Sequence, residues 1–332
     1  MRPRRCRTLD EERLVALGRS GLRVSRLCVG TWQWGSKVVW GYGHGYGEQD
    51  VCAVFAEAIS SGINFFDTAE IYGWGSSERI LGGCARGGPS ARPVIATKFT
   101  PMFRWRKGSL EKALRNSLRR IGLPKVDLYQ VHQMDGIGNI PKWMDAMADA
   151  HEKGLVGEIG VSNHYPEAMA VAIDSLSKRG LKLASNQMHF SLLFRRHEKN
   201  GLLRLCKENN VAFLGYMPFA WGILAGRFSK DDPPKGFIRH RVANQKLVEK
   251  SERLLNLMKD IARKELDRTV SQVALNWSIA KGAIPIAGIK TLRQAKEDFS
   301  ALKWSLSGTE VGELDAASEA LGAEPLRTLW TS

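Results

Sequence analysis

Four side chains in the first half of the chain are of the types that move protons: Asp67, Tyr72, Lys98 and His132. Brought to one place, a carboxylate, a phenol, an ammonium and an imidazole form an acid–base set. Tyr72 with Lys98 is the telling pair, because an adjacent cation favours the phenolate, depresses the phenol pKa and makes it a competent donor near neutrality. Asp67 would hold Lys98, and His132 would hydrogen-bond the same reacting oxygen. Each residue alone has a plainer reading: a Lys–Asp pair is often structural, a lone histidine is more often satisfied by a backbone group, and Tyr72 before Gly73 could be a loop aromatic. Position argues against those readings, since each residue falls at or just beyond the end of a short apolar run.

Those runs alternate with stretches of helical periodicity. Residues 27–30 precede a helix at 50–61, 63–66 one at 77–85, 94–97 one at 109–121, and 126–131 one at 141–153. Residues 156–161 precede 166–178, 183–188 precede 199–209, 211–215 lead to 251–264 and 269–280, and 284–287 precede 291–301. In 109–121 the apolar positions Leu110, Ala113, Leu114, Leu118 and Ile121 share one face. Gly62, Gly122, Gly154, Gly180 and Gly282 stand just past helices, where glycine commonly ends them. Eight strand-then-helix units predict an α/β fold, a (β/α)8 TIM barrel, with residues 1–332 as one domain and 1–12 as a basic tail. Leu14 to Leu27, turning at Arg19-Ser20-Gly21, predicts an N-terminal β-hairpin that plugs the barrel, and 308–321 a C-terminal helix. Reactive groups of such barrels sit at the C-terminal strand ends. There strand two ends in Asp67 with Tyr72 following, strand three in Lys98 and strand four in His132. The next three strand ends carry Ser162-Asn163, Asn186-Gln187 and Tyr216.

Hydrophobic residues make up 43% of the 332 and charged residues 25%, ordinary for a soluble chain, but 49 Lys+Arg against 34 Asp+Glu leave a net charge of +15. The excess is local: residues 1–30 hold eight arginines against three acids, and residues 104–125 eight basic residues against Glu111. Charge alone would suggest nucleic acid, but no aromatic-plus-basic motif accompanies it. No apolar run of about 18 residues spans a membrane, and Met1 to Arg7 lack the apolar segment of a secretory signal. An Arg-rich transit peptide is weakened by Asp10-Glu11-Glu12. Cys6, Cys28, Cys52, Cys84 and Cys206 are odd in number and scattered, which predicts a reduced cytoplasmic chain without disulfide or zinc framework. His151, His189, His197 and His240 have no ligand spacing, so no metal is expected. Gly160-Val161-Ser162-Asn163-His164 approaches a serine-nucleophile elbow but ends in histidine, without the supporting acid–histidine order.

The stretch Gly62-Ile63-Asn64-Phe65-Phe66-Asp67-Thr68-Ala69-Glu70-Ile71-Tyr72-Gly73, followed by Ser77-Glu78 and Leu81-Gly82, resembles the aldo-keto reductases, as do Leu128-Tyr129-Gln130-Val131-His132 and Gly160-Val161-Ser162-Asn163. The resemblance runs from Leu22 to about Leu302. It implies a barrel oxidoreductase that reduces aldehydes or ketones with NADPH, with Asp67, Tyr72, Lys98 and His132 as catalytic tetrad and Tyr72 as general acid. It further implies that Ser162, Asn163 and Gln187 bind the nicotinamide carboxamide and that Tyr216 stacks on its ring. Met217, Pro218, Phe219, Gly222, Leu224, Gly226 and Arg227 fall in the loop over the pyrophosphate. Gly288, Lys290, Gln294, Glu297 and Asp298 fall in the adenosine segment. NADPH rather than NADH rests mainly on Lys290, with Arg227 and Arg293 as helpers. Two departures stand out: Met217 replaces a serine, and Asp298 replaces an asparagine, so an ionised carboxylate would only accept where an amide also donates.

The substrate end reads as aromatic. Trp32 (which also falls on the cofactor side), Trp34, Trp40, Trp74, Phe103 and Trp105 lie in loops or strand ends on the same rim, although one or two could be packing. Gly41 to Gly47 reads as a mobile substrate-side loop and not as a dinucleotide fingerprint, its spacing being G-x-G-x-G. The expected partner is a small carbonyl compound, aromatic or anionic, with Arg104, Arg106 or Lys107 recruiting anions; no oligomer is indicated. A regulatory subunit that binds NADPH without turnover is the rival from another class.

Overall fold

In a computed structural model, residues 14–89, 91–133, 136–229, 232, 243–265 and 268–322 are described. The expected basic tail lies outside them. Strands β1 (Leu14–Ala16) and β2 (Arg23–Ser25) form an antiparallel hairpin. The barrel strands follow: β3 (Cys28–Gly30), β4 (Phe65–Asp67), β5 (Val94–Phe99), β6 (Val126–Val131), β7 (Val156–Ser162), β8 (Leu183–His189), β9 (Ala212–Tyr216) and β10 (Ile284–Gly288). They close as a parallel barrel in chain order, with β10 pairing both β9 and β3. The helices in chain order are α1 (Lys37–Trp40), α2 (Glu48–Ser60), α3 (Ser76–Gly87), α4 (Gly108–Ile121), α5 (Ile140–Glu152), α6 (Pro166–Ser177), α7 (Arg196–Lys199) and α8 (Leu202–Glu208). Then come α9 (Gln245–Lys250), α10 (Glu252–Arg263), α11 (Val270–Ala280), α12 (Leu292–Phe299) and α13 (Gly308–Glu319).

Strand alternation divides the core in two. One set of side chains, including Phe66, Ile95, Tyr129 and Val161, faces the helices. The other fills the barrel: Cys28, Phe65, Ala96, Leu128, Leu214 and Ile284 pack with Leu17 and Val24 of the hairpin, both fully buried. The hairpin is therefore an apolar plug. It is tied to the barrel by Asn64, whose Oδ1 accepts from Ser25 N (2.8 Å) and whose Nδ2 donates to Arg23 O (2.9 Å). Two residues above the apolar layer the same strands carry Asp67, Lys98 and Gln130, so a period of two points polar groups into the barrel only near its C-terminal end.

Helix α4 shows why the outer layer forms where periodicity places it. It buries Leu110, Ala113, Leu114, Ser117, Leu118 and Ile121 and ends at Gly122, whose φ of 82° suits glycine and whose N–H donates to Leu118 O (2.8 Å). Part of its basic face is paired with acids. Arg115 pairs with Glu111 (2.7 Å) and Arg120 with the fully buried Glu78 (2.5 Å), while Lys107, just before the helix, pairs with Asp145 and Asp149 of α5.

The cysteine expectation is corrected. Cys52 of α2 and Cys84 of α3 form a disulfide, while Cys28 and Cys206 are free and buried. Nothing in a separation of 32 residues marks the pair; the two helices meet because they follow neighbouring strands, and that closes the distance. Closing a loop of that length stabilises by about 3–4 kcal/mol. Reduction with dithiothreitol should therefore lower the melting temperature by several degrees, and Cys52→Ser should remove the effect of the reductant. Equal melting curves with and without reductant would count against the link.

Candidate active site

Burial decides the chemistry at the top of the barrel. Lys98 Nζ is fully buried and donates to Asp67 Oδ1 (2.5 Å), Thr68 O (2.9 Å) and Tyr72 Oη (3.2 Å). The other oxygen of Asp67 accepts from Gln130 Nε2 (3.0 Å) and Gln187 Nε2 (2.9 Å). A buried carboxylate with donors on both oxygens and a buried ammonium with three acceptors satisfy each other. Burial pulls the Lys98 pKa down, but Asp67 and Tyr72 outweigh it and hold the amine above its ordinary value.

Tyr72 opens the turn Tyr72–Gly75, and a side chain at Gly73 (φ 54°) would strike Gly35 O at 2.7 Å. The tyrosine can approach Lys98 only because its neighbour is glycine. Its phenol departs from expectation: burial raises the pKa more than Lys98 lowers it, so the net shift is upward. His132 stands edge-on to Tyr72, ring centroids 5.7 Å apart, with Nδ1 3.3 Å from Thr100 Oγ1. Burial, with Lys98 adding to it, holds this imidazole well below its usual range, so it is neutral at physiological pH.

These groups meet at a cavity of ≈ 370 Å³ lined by Asp67, Tyr72 and His132. Ser162, Asn163, Gln187 and Tyr216 line it too, as do Met217, Pro218, Phe219, Gly222, Arg227, Gly288 and Lys290. Tyr216 donates to Asn163 Oδ1 (2.9 Å), and Asn163 Nδ2 donates to His132 O (3.1 Å), which locks the amide. Ser162 Oγ donates to Gln187 O (3.0 Å), so it is held and not poised as a nucleophile. Gln33 Oε1, buried at the cavity, has no hydrogen-bond partner among the described residues.

Among the expected aromatics, Trp32 and Trp40 line the cavity and Trp34 does not. Trp34 is fully buried, with Nε1 donating to Ile289 O (2.9 Å), so it is packing and not a substrate contact. Trp74, Phe103 and Trp105 are 89%, 81% and 77% exposed and stand outside the cavity wall. Leu224, Gly226, Gln294, Glu297 and Asp298 also fall outside it. Gln294 Oε1 accepts from Lys290 N (3.0 Å), and Glu297 pairs with Arg293 (3.6 Å). Arg104, expected to recruit anions, is held by Glu70 in two hydrogen bonds (2.6 and 3.0 Å). Tyr46 anchors the 41–47 loop through its hydroxyl to Gln33 O (2.8 Å) and lies 4.8 Å from Lys290 Nζ.

Sequence reading missed Gln130, although it stands inside the motif 128–132 and shares a strand face with Leu128, which points into the barrel. It missed Trp221, stacked on Trp40 (5.6 Å, 16°), because the φ of 61° that aims the ring has no local signal. It also missed His189, sandwiched between Phe194 (4.2 Å) and Tyr216 (5.4 Å) and kept neutral by burial that pushes its pKa to about 3.

Comparison with known proteins gives the family. The profile of the Aldo/keto reductase family matches residues 26–319. The chain belongs to that family. It is 34% identical over 313 residues to the chloroplastic pyridoxal reductase of Arabidopsis thaliana, covering 90% of this chain and 84% of the relative. It is 31% identical over 291 residues to the aldo-keto reductase yakc [NADP(+)] of Schizosaccharomyces pombe, covering 82% and 84%. A crystal structure of the thermostable aldo-keto reductase Tm1743 with the inhibitor epalrestat superposes with a TM-score of 0.74 at 26% identity, over 92% of this chain and 99% of that one. The chain is thus an oxidoreductase of the aldo-keto reductase kind, in a family that acts on small carbonyl compounds.

Asp298 is buried, and burial, helped by Glu297 and opposed by Arg227, pushes its pKa to about 8. Between the unfolded value and about 8 the folded carboxyl keeps its proton while the unfolded one loses it. The folded state then binds more protons, and stability falls as pH rises through that window. Asp298→Asn should therefore match wild type near pH 4 and exceed it by on the order of 3–5 kcal/mol at pH 8. Urea unfolding at the two pH values measures the difference, and a pH-independent gap would refute the assignment.

Proposed function

We propose that the protein reduces an aldehyde or ketone to the alcohol with NADPH, with Tyr72 as general acid and Lys98, Asp67 and His132 as its supports. The observation that carries this reading is the unbroken chain Asp67–Lys98–Tyr72, its ammonium fully buried and its phenol at the cavity wall. The cavity suits a dinucleotide: Arg227 and Lys290 supply cations for phosphate, Tyr216 a flat face, Ser162, Asn163 and Gln187 polar groups for a carboxamide, and Gln33 an unused buried acceptor. Lys290 favours the phosphorylated form of the cofactor, in line with the NADP(+) in the name of the yeast relative. Bound there, the nicotinamide supplies the hydride.

The side chains supply the rest. Tyr72 donates its proton to the carbonyl oxygen as negative charge develops there. Lys98, positive throughout, stabilises the phenolate left behind. A Thr100 hydroxyl that donates to Nδ1, 3.3 Å away, leaves the proton of neutral His132 on Nε2, where it serves the same oxygen. Gln130 and Gln187 fix the carboxylate that fixes Lys98. Trp32, stacked 6.0 Å from Tyr72, and Trp40 form the aromatic wall for the substrate.

Tyr72→Phe should lower turnover of an aldehyde by about 100-fold or more while NADPH binding, followed by protein fluorescence, persists. The pH–rate profile of wild type should lack a step near the ordinary histidine value, because His132 does not charge there, and should fall only on the alkaline side as Tyr72 ionises. Binding of NADPH without turnover in both proteins would replace this reading with a cofactor-sensing one. Gln130→Leu, similar in size, should cut kcat by about tenfold and move the alkaline limb upward, since the less screened Asp67 charge holds the phenol proton more tightly. An unshifted limb would make Gln130 mere filling.

A further inference from the structure

We propose that an exposed aromatic crown beside the cavity mouth binds the apolar remainder of the carbonyl substrate, so that this enzyme acts on carbonyl compounds carrying an extended, aromatic-rich tail. The proposal rests on the reductase reading of the cavity and adds the substrate class to it.

The distribution of exposed apolar side chains carries the argument. Leu292 apart, every exposed large hydrophobic residue among the described ones sits on the connections after three neighbouring strands: Val38, in the short α1, after β3, Ile71 and Trp74 after β4, and Met102, Phe103 and Trp105 after β5. Exposed apolar residues scattered singly need no explanation, but a cluster on one rim marks a surface that binds something.

The crown is held in place. Glu70, adjacent to Ile71 and nearly buried, accepts from Arg104 through both oxygens and from Thr100 N (2.8 Å). Arg104 lies in sequence between Phe103 and Trp105, so this ion pair rivets the two aromatic-bearing loops together. Trp74 (φ 56°) and Phe103 (φ 61°) adopt the left-handed backbone that side chains disfavour, and both present their rings to solvent. Backbone strain combined with exposed rings at both positions is the pattern of a binding surface.

Continuity with the cavity selects the occupant. Ile71 lines the cavity and is also 37% exposed, so the inner wall becomes the crown at that residue. The cavity of ≈ 370 Å³ must hold the nicotinamide end of the cofactor as well as the reacting carbonyl. A larger substrate must leave over the rim, where Ile71 stands at the cavity wall and the loops tied by Glu70 and Arg104 offer the exposed Trp74, Phe103 and Trp105.

The test compares benzaldehyde, which fits inside, with para-benzyloxybenzaldehyde, whose second ring reaches outward, in wild type and in a Trp74→Ala/Phe103→Ala/Trp105→Ala variant. All three side chains are solvent-exposed, so the variant should fold, and its melting curve checks that. In wild type the extended aldehyde should have a KM about tenfold lower than benzaldehyde. The variant should lose that advantage while keeping wild-type kcat and KM for benzaldehyde and wild-type affinity for NADPH. Equal KM values for the two aldehydes in wild type, or a variant that weakens both alike, would overturn the proposal and leave the reductase reading standing. A wild-type dimer that becomes monomeric in the variant without a change in KM would give the crown to a second copy of the chain, again overturning it. Absence of turnover with either aldehyde would remove the reductase reading, and this proposal with it.

Discussion

The ion pair between Lys98 and Asp67 is the constraint around which the barrel is arranged. Both side chains are essentially out of water, where an unpaired charge would cost several kcal/mol. The structure answers with donors for each carboxylate oxygen and acceptors for each ammonium proton. Those partners come from β4, β5, β6 and β8 and from the turn after β4. No local segment could assemble them, so the closed barrel is a condition of the pair. The pair in turn limits substitution: Gly160 must stay small, because a side chain there would meet Ser185 Oγ at 2.5 Å and Gln130 Cγ at 2.9 Å.

Below the pair the barrel is apolar. Leu17 and Val24 of the hairpin complete an apolar floor with Phe65, Ala96 and Leu128. The low dielectric this creates strengthens the Lys98–Asp67 attraction and raises the cost of ionising Tyr72. That second effect explains why the phenol in the isolated protein lies above its ordinary value despite a cation 3.2 Å away. In the proposed reaction the proton leaves Tyr72 as charge builds on the substrate oxygen, so the phenolate does not have to be stable beforehand.

How far the site was legible depended on whether a residue lay on regular structure. Asp67, Lys98 and Gln187 stand near the ends of apolar runs, where a period of two settles which way each side chain points. Trp32 and Trp34 are two residues apart and meet opposite fates, one in the cavity wall and one in the core, because the chain turns after Gly30 and alternation no longer applies. Gln130 was hidden for a different reason: it sits between Tyr129 and Val131 in a run that reads as buried strand, and it is in fact buried. The Cys52–Cys84 link and the left-handed turns at Trp74, Phe103 and Trp221 depend on tertiary neighbours and leave no trace in local spacing.

Charge makes the same point on a larger scale. The basic stretch 104–125 suggested a field at the cavity mouth, yet Arg104, Lys107 and Arg120 each face an acid brought up by folding, and Arg115 faces Glu111 one helical turn away. Glu70 and Glu78 lie well upstream in sequence, and Asp145 and Asp149 lie downstream on α5. Such pairs add little where they are exposed, but Glu70 and Glu78 are nearly or wholly buried, and each holds a loop or helix that borders Tyr72. Arg104 and Lys107, two of the three cations expected to recruit anions, are thus structural members of the rim. The cations that line the cavity wall, Arg227 and Lys290, stand on the loop after β9 and just beyond β10, where the proposed cofactor phosphates would lie. The net charge of the chain is therefore a poor guide to its partner, and the placement of two side chains is a better one.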